Sequence, residues 1–483
     1  MRTLVAGVDC STQSTKVFVV DADTGEVVAT GRAEHTVTGT GGARETHPDV
    51  WWHALSQALA LTGVAGQIVA VSVAGQQHGL VCLSDAGRPL RPAMLWNDTR
   101  AAPDAARLVD AFGGAEAWAT RIGVVPVASF TASKWAWLRR SEPEVAARTA
   151  AIRLPHDYIN QLLTGSGATD RGDASGTAWW STATGRYSPE VLALPELALS
   201  EDLLPHVYGS TEAAGEVTEA ASAATGLAPG VLVAPGTGDN MGAALGLGLT
   251  PGVPVLSLGT SGTAYLASET RSADPYGDVA GFADATGRFL PLACTLNCTV
   301  AVDRVATWLG LERDDVAPSD GVVVLPYFDG ERTPNLPNAS AAFFGLRHET
   351  DPRSILMAAY EGAILGLLDA LDAIDACSSG IDPAAPLVLI GGGAKGVAWQ
   401  SVVRRLSGRK VSIPEATELV AIGAAVQAAA VLRGEAPGDV AARWRTDRGT
   451  ILEPMTPDNE TISRHRDMLR LALPAVGGAR GGR

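Results

Sequence analysis

The segment Gly236-Thr237-Gly238-Asp239-Asn240 places a carboxylate between a strand-like run, Val231 to Ala234, and a helix-like run that ends near Leu245. An aspartate at such a turn commonly caps the helix. In open α/β sheets, however, ligands bind outside the carboxyl ends of the strands. A carboxylate placed there can take a proton from a hydroxyl group that attacks phosphorus. Asp239 is therefore the first candidate for a catalytic base.

Two other segments have the composition of phosphate-binding loops. Ser11-Thr12-Gln13-Ser14-Thr15 lies between strand-like runs, and Gly259-Thr260-Ser261-Gly262 has the same setting far downstream. Consecutive backbone N–H groups and hydroxyls can hold a phosphate, and a nearby lysine helps. One such hairpin is more often an ordinary polar turn, but a pair predicts that a polyphosphate is gripped from both sides. The expected contacts are Thr12, Gln13, Lys16, Gly259 and Thr260.

Asp9 directly follows the strand-like run Thr3–Val8, just before the first of these loops. A carboxylate in that place suits a Mg²⁺ ion that bridges phosphate oxygens. Hydrogen bonding to the backbone of its own turn is an equally good interpretation. With Asp239, it is the candidate metal ligand.

A glycine-rich segment, Gly391-Gly392-Gly393-Ala394-Lys395-Gly396, follows the apolar run Leu387 to Ile390. Glycines let the backbone approach a planar base or a sugar closely, so Gly392, Gly393 and Lys395 are candidate nucleotide contacts. The segment also matches G-x-G-x-x-G, and Glu415 follows about 20 residues on, as in dinucleotide-binding proteins. A nicotinamide-dependent dehydrogenase is therefore the rival interpretation. The P-loop pattern G-x-x-x-x-G-K-[ST] is absent from the sequence.

Two polar clusters follow apolar segments in the first half of the chain. Gln77 and His78 lie in one, and Trp96 and Asp98 in the other. Amide, imidazole, indole and carboxylate groups together suit the hydroxyls of a sugar. Taken singly, each of these side chains is more often structural.

The elements that must position these residues occur twice. Runs at Thr3–Val8, Val17–Val20 and Glu26–Thr30 predict an antiparallel meander, and Val253–Leu258 with Ala264–Ala267 predicts a second. Strand and helix signals alternate after each meander, which predicts an α/β protein with two similar halves. We place the boundary after residue 249, giving domains 1–249 and 250–475. The glycine-rich end, 476–483, is expected to be a disordered tail.

Composition narrows the functional classes. The chain has 483 residues, a formal charge of −15 and 46% hydrophobic residues, which indicates no basic surface for nucleic acid or an anionic membrane. Its five cysteines form no C-x-x-C pair, so neither a disulfide framework nor a zinc site is indicated. The N-terminal sequence lacks the apolar core of a signal peptide. A cytoplasmic protein without a membrane segment is expected.

These residues, taken in order, resemble the FGGY family of carbohydrate kinases. The first family signature is recognisable in Ser129-x-Thr131-x-x-Lys134-Trp135-x-Trp137-Leu138, and the second runs from Ala341 to Glu361. Ser354 stands where that second pattern prefers His, Asp, Glu, Asn or Gln. Within the family the xylulokinase branch is most similar, through segments that begin at Gly75, Leu95, Leu154, Thr169 and Gly330.

The resemblance implies two actin-like domains of the ribonuclease H type around a deep cleft, with sugar bound by the first and ATP largely by the second. It implies that ATP and Mg²⁺ are used to phosphorylate D-xylulose, with Asp239 as the base and Asp9 as the carboxylate near magnesium. It assigns the sugar side to Gln77, His78, Trp96, Asp98, Asp239 and Asn240.

Three alternatives stay open. Another ketopentose or a pentitol, such as ribulose, arabinitol or xylitol, could be the acceptor. The dehydrogenase is more remote, as is a non-catalytic ATP-binding protein of the actin or chaperone type. A homodimer is one assembly that the sequence leaves open.

Overall fold

The structure, a computed structural model, describes residues 2–378 and 380–476. The predicted tail, 476–483, therefore lies outside the described residues except for its first one. Two seven-stranded sheets organise the chain, one in each half. The free cysteines are Cys10, Cys82, Cys294, Cys298 and Cys377.

The first half is bounded by the strand that starts at Leu4 and the helix that ends at Gly246. Its strands are β1 (Leu4–Cys10), β2 (Ser14–Asp21), β3 (Val27–Glu34), β4 (Glu45–Thr46), β5 (Ile68–Gly75), β6 (Val81–Leu83), β7 (Ala93–Met94), β8 (Ala151–Arg153), β9 (Ala168–Asp170), β10 (Trp180–Ser181), β11 (Arg186–Tyr187), β12 (His206–Tyr208), β13 (Gly215–Glu216), β14 (Leu232–Val233) and β15 (Thr237–Gly238). Its α-helices are α1 (Asp49–Thr62), α2 (Ala102–Ala111), α3 (Ala115–Arg121), α4 (Thr131–Ser141), α5 (Pro143–Arg148), α6 (Pro155–Thr164), α7 (Arg171–Ser175), α8 (Pro189–Leu192), α9 (Glu219–Thr225) and α10 (Asp239–Gly246).

The second half begins with the strand at Pro254. Its strands are β16 (Pro254–Leu258), β17 (Gly262–Leu266), β18 (Ala280–Ala283), β19 (Phe289–Thr295), β20 (Val323–Leu325), β21 (Ala342–Phe344), β22 (Leu387–Ile390), β23 (Val411–Pro414) and β24 (Gly449–Leu452). Its α-helices are α11 (Thr299–Leu309), α12 (Pro352–Cys377), α13 (Val397–Ser407), α14 (Leu419–Arg433), α15 (Pro437–Trp444) and α16 (Asn459–Val476). Short 3₁₀ helices lie at Ala65–Gln67, Glu201–Leu203 and Gly392–Lys395.

Both sheets have the same central arrangement. The first has the order β13-β14-β5-β1-β2-β3, with β15 also paired to β5, and the second has the order β18-β19-β17-β16-β22-β23-β24. In each, a hairpin (β1–β2 or β16–β17) is antiparallel, and its first strand pairs in parallel with a strand from far downstream. The central strands are almost entirely buried because helices cover both faces. The predicted duplication is therefore confirmed.

The hairpin turns are shorter than the sequence predicts. Asp9 and Lys16 were expected in the turn, but they lie opposite each other in β1 and β2, and only residues 11–13 connect the strands. Strand β20 lies outside the two large sheets and pairs only with β21. The prediction of residue 249 as the domain boundary stays a prediction.

Helix α14 belongs to the second half by sequence but packs on the sheet of the first. A Cβ atom added to Gly7 in β1 would lie 1.9 Å from the carbonyl oxygen of Ala421, and one added to Gly423 would lie 1.9 Å from that of Gly242 in α10. Glycine at these positions allows backbone to touch backbone. The helix that begins at Asp239 is thereby held directly against α14.

Within the described residues, α12 is the one single helix that is long and apolar enough to cross a membrane. Of its most apolar window, 78% is buried inside the fold, and its side chains from Leu356 to Ile374 fill the core of the second half. It is therefore a core helix.

Candidate active site

A cavity of about 250 Å³ lies between the two halves. The first half contributes five of the predicted site residues to its wall: Gln77, His78, Trp96, Asp239 and Asn240. The second half contributes Ser261 and Thr263 of the second hairpin, together with Asp278, Phe282, Thr295 and Arg332. The structure thus brings together most of the residues predicted to bind sugar and the hairpin predicted to bind phosphate.

Asp239 is the first residue of α10, and Gly238 before it occupies the N-cap position. The simple capping interpretation is therefore wrong, because no side-chain cap bond forms there. The Oδ1 atom of Asp239 accepts hydrogen bonds from the backbone N–H of Asn240 (2.9 Å) and from Asn240 Nδ2 (3.1 Å). Burial, then the negative charges of Asp9 and Asp173, raise the pKa of Asp239 to about 7. A carboxyl with that pKa is matched to general base work near neutral pH.

The turn before Asp239 requires its glycines. Gly236 has φ of 80°, a left-handed conformation that side chains disfavour. A Cβ atom there would also lie 2.5 Å from the carbonyl oxygen of Val73. At Gly238, a Cβ atom would lie 2.6 Å from Cγ of Gln77. Gly236 therefore lets the turn pack against β5, and Gly238 lets Gln77 pack against the turn.

Gln77 and His78 form one wall of the cavity. Gln77 Oε1 accepts a hydrogen bond from Asn240 Nδ2 at 2.8 Å, which connects Gln77 to the first turn of α10. His78 has φ of 65°, and its Nδ1 lies 2.8 Å from the carbonyl oxygen of Gly176. Because a carbonyl oxygen only accepts, Nδ1 carries the proton and Nε2 is an acceptor. Burial, then the charge of Lys134, lowers the pKa of His78 to about 3, so the ring is neutral.

Trp96 connects the sugar side to the first hairpin loop. Its Nε1 donates to Thr12 Oγ1 at 3.1 Å, and the Thr12 hydroxyl lies 3.4 Å from Gln76 Oε1. Asp98 does not line the cavity. Its buried carboxylate accepts bonds from the backbone of Arg44 and the guanidinium of Arg100, and these bonds lower its pKa although burial opposes them.

Asp9 lies outside the cavity wall, close enough for its charge to act on Asp239. Lys16 Nζ lies 3.4 Å from Asp9 Oδ2 and 2.5 Å from the Glu418 carboxylate at the start of α14. Burial raises the pKa of Asp9 to about 6 against the opposing charge of Lys16. The other carboxylate oxygen, Oδ1, is buried without a hydrogen-bond partner. A free, hard oxygen of this kind fits a magnesium ion or one of its water ligands.

The second hairpin loop is supported by the start of α11. The carbonyl oxygens of Gly259 and Thr260 accept the N–H groups of Thr299 (3.1 Å) and Cys298 (3.3 Å). The side chains of Thr260 and, on the first hairpin, Gln13 are exposed to solvent. Neither side chain lines the cavity, and both are open to solvent.

The glycine-rich segment forms a 3₁₀ turn, Gly392–Lys395, between β22 and α13. A Cβ atom added to Gly393 would lie 2.8 Å from that of Leu258 in β16, whereas one added to Gly392 would meet nothing within 4 Å. Lys395 is exposed. In a dinucleotide-binding turn the strand would lead directly into the helix, but here the 3₁₀ turn separates them. The backbone of Gly392 is open to solvent, because no protein atom lies within 4 Å of a Cβ atom added there.

Sequence reasoning missed several residues of the cavity. Phe130 and Phe282 pack against the His78 ring at centroid distances of 4.7 and 5.7 Å. Phe130 occupies an unspecified position of the signature that begins at Ser129, and no local pattern marks Phe282. Among the described residues that line the cavity, Arg332 is the only arginine or lysine. The motif Gly330-Glu331-Arg332-Thr333-Pro334 marked its segment, but nothing in the sequence assigned it to the cleft.

A buried ionised cluster lies behind the turn that carries Asp239. His156 Nδ1 lies 2.9 Å from Asp173 Oδ2, His156 Nε2 lies 3.1 Å from Asp157 Oδ1, and all three side chains are fully buried. Burial lowers the pKa of His156, but the charges of Asp157 and Asp173 outweigh that and raise it to about 9. Burial raises the pKa of Asp173 to about 6. His156 is therefore an imidazolium at neutral pH.

Comparison with known proteins gives concordant matches along the chain. Residues 4–246 match the N-terminal domain of the FGGY family of carbohydrate kinases, and residues 255–432 match its C-terminal domain. A xylulose kinase of Streptomyces coelicolor is 58% identical over 98% of this chain and 97% of its own length. One of Streptomyces rubiginosus is 56% identical over the same shares.

Solved structures agree. The crystal structure of xylulose kinase from Bifidobacterium adolescentis superposes with a TM-score of 0.84 and 38% identity, covering 97% of this chain and 99% of that one. The predicted α/β fold of two actin-like domains is thereby confirmed. From these matches over both halves, the chain belongs to the FGGY family of carbohydrate kinases.

Proposed function

We propose that this protein transfers the γ-phosphoryl group of ATP to D-xylulose, giving D-xylulose 5-phosphate. The observation that carries the proposal is Asp239, whose pKa is raised to about 7 in a cavity that both halves line. The relatives that are 56–58% identical carry the name xylulose kinase, which supports the choice of sugar.

Asp239 orients the terminal hydroxyl of the sugar and takes its proton as the oxygen attacks phosphorus. Asn240 and Gln77, already bonded to each other, bind further hydroxyls. His78 accepts a hydrogen bond from a sugar hydroxyl through Nε2. Trp96 lines the same cavity, whereas Asp98 supports the loop through Arg44 and Arg100.

The two hairpins bind the phosphates of ATP, with Thr12, Gln13 and Lys16 on one side and Gly259 and Thr260 on the other. Gly392, Gly393 and Lys395 bind the nucleoside. Arg332, which lines the same cavity from the second half, supplies a cation for the charge that develops on the transferred group. Closure of the halves excludes water and suppresses hydrolysis of ATP.

Asp9, with Asp239, would hold a magnesium ion. The unpartnered Oδ1 of Asp9 supports this assignment. Among the described residues no group of three or more candidate ligands occurs, as expected for an ion held by one or two carboxylates and the substrate phosphates. When bound, magnesium neutralises charge on the β and γ oxygens of ATP.

The test is sugar-dependent ADP release by the purified protein with D-xylulose, D-ribulose, L-ribulose, xylitol and arabinitol. We expect the highest kcat/KM with D-xylulose. A higher value with ribulose or a pentitol would move the assignment to that sugar, and ADP release that no sugar accelerates would contradict a sugar kinase. Hydride transfer from a nicotinamide cofactor is expected to be undetectable. A cytoplasmic location and a homodimer stay predictions.

A further inference from the structure

Helix α14 contains one polar side chain within a long apolar stretch. From Leu419 to Leu432 every residue is aliphatic or glycine except Gln427, whose exposed fraction is 0%. An amide buried without partners is costly, so a buried glutamine must be hydrogen-bonded. Gln427 must therefore have hydrogen-bond partners inside the protein.

Gln427 binds the turn that carries Asp239, although 191 residues separate it from Gly236. Its Oε1 accepts the backbone N–H of Gly236 at 3.1 Å, and its Nε2 donates to the carbonyl oxygen of the same residue at 2.9 Å. Ser72 in β5 donates its hydroxyl to the same Oε1 at 2.5 Å. One side chain thus satisfies both backbone groups of the left-handed glycine.

The rest of this turn is held by side chains of the first half. Asn160 Nδ2 donates to the carbonyl oxygen of Pro235 at 2.7 Å, and Thr237 Oγ1 donates to Asp170 at 2.9 Å. Among these three bonded positions, Gly236 alone is bound by a helix of the second half. Asp239 follows Gly236 by only three residues, at the start of α10, which itself packs against α14.

We infer that Gln427 is a positioning residue for the reaction proposed above: it fixes the turn at Gly236 and thereby holds the Asp239 carboxylate at the distance that proton transfer needs. It touches neither sugar nor ATP, because it is enclosed between α14, β5 and the turn. The placement of the base therefore depends on a helix of the half that binds the nucleotide.

The test replaces Gln427 by leucine, which has a similar size and no hydrogen-bonding groups. We expect kcat of Gln427→Leu to fall on the order of 10- to 100-fold, because small displacements of a catalytic group are this costly. KM for D-xylulose and for ATP should stay within about 3-fold, since the contacts that bind them are elsewhere. Gln427→Met keeps the length of the side chain without its amide, so kcat should fall to a similar extent.

The control is Thr225→Val, which removes a buried hydroxyl bonded only to backbone atoms of α9 and its end. It should lower stability but leave kcat unchanged. Three outcomes would overturn the inference: unchanged kcat in Gln427→Leu, a loss explained by a raised KM, or an equal loss in the control. If the leucine variant does not fold, Gln427→Met decides by the same comparison of kcat with KM.

Wild-type protein in the same assay separates this inference from the proposed function on which it rests. Absence of sugar-dependent ADP release by the wild type would defeat the proposed function. Activity in the wild type that persists unchanged in the folded Gln427 variants would defeat only the role of Gln427.

Discussion

The hairpins β1–β2 and β16–β17 occupy the same place in their sheets but carry different side chains. Asp9 pairs with Lys16 one position before the end of β1, and the corresponding pair in the second hairpin is Ser257 and Thr263. One hairpin therefore presents a charged pair where the other presents two hydroxyls. The two hairpins therefore share a backbone arrangement but differ in the chemistry of their side chains.

The starts of α10 and α14 both carry a carboxylate, but the two carboxylates have different surroundings. In the first half α10 starts with Asp239, which lines the cavity, and in the second half α14 is preceded by Glu418, which binds Lys16. The carboxylates proposed for catalysis thus both belong to the first half. The second half lines the same cavity with the hydroxyls of Ser261 and Thr263, the carboxylate of Asp278 and the guanidinium of Arg332. Its hairpin itself therefore presents no carboxylate to an anionic nucleotide.

Asp239→Asn is expected to have the largest effect, because it removes the base and keeps the shape. We expect kcat to fall on the order of 100- to 10,000-fold, with sugar binding retained. ADP release and a sugar titration by intrinsic fluorescence measure the two quantities. Thr263→Ala in the second half is the comparison, expected to lose less than about 10-fold. If Asp239→Asn keeps nearly full turnover, Asp239 is not the base.

His156→Gln tests the buried charge of the first half. The pKa of His156 is raised to about 9 in the folded wild-type protein, against about 6.5 in an unfolded chain. The imidazolium therefore stabilises the fold fully below pH 6.5, and that contribution is lost as pH rises through 9. We expect the variant to be less stable than wild type at pH 6. The difference in free energy of unfolding between the two proteins should be about 2–3 kcal/mol larger at pH 6 than at pH 10.

Urea unfolding at the two pH values measures this difference, since each variant is compared with wild type at the same pH. The variant His206→Gln, at an exposed histidine, is the control and is compared with wild type in the same way. A loss of stability that is equal at pH 6 and pH 10 would mean that His156 is neutral in the folded protein.

Asp9→Asn and Asp9→Ser break the contrast between the hairpins, since the second variant copies the residue found at position 257. We expect a magnesium requirement raised about 10- to 100-fold, with slower turnover. The measurement is a magnesium titration of ADP release. Ser257→Ala should change it less than about 3-fold. A titration of Asp9→Asn that superimposes on wild type would exclude the magnesium role.

Local patterns in the sequence were enough to predict both hairpins, the turn at Asp239 and the glycine segment. The hydrophobic runs and turn residues there act over short distances. Asp98 could have been set aside too, because Arg100 stands two residues away and takes its carboxylate. The sequence did not separate Asp9 and Lys16 from the turn, since their place in the strands depends on pairing across the sheet.

The contacts between distant segments could not be predicted. Gln427 looks like a stray polar residue in an alanine-rich helix until Gly236 is placed beside it. Phe130, Phe282 and Arg332 reach the cavity from three separate segments, and only the packing of the halves brings them together. A single sequence shows which groups can do chemistry, but the supports around them depend on tertiary structure.

Gly392→Ala is expected to have the smallest effect and bears on the second half's side of the comparison. The added methyl meets no protein atom within 4 Å, so the fold should be unchanged. If this backbone receives the nucleoside, the methyl occupies its space and KM for ATP should rise about 3- to 10-fold, with KM for the sugar constant. Gly438→Ala, at another open position in α15, is the matched control. An equal KM for ATP in both variants would mean that the nucleoside binds elsewhere. The glycine segment would then serve only to pack against Leu258.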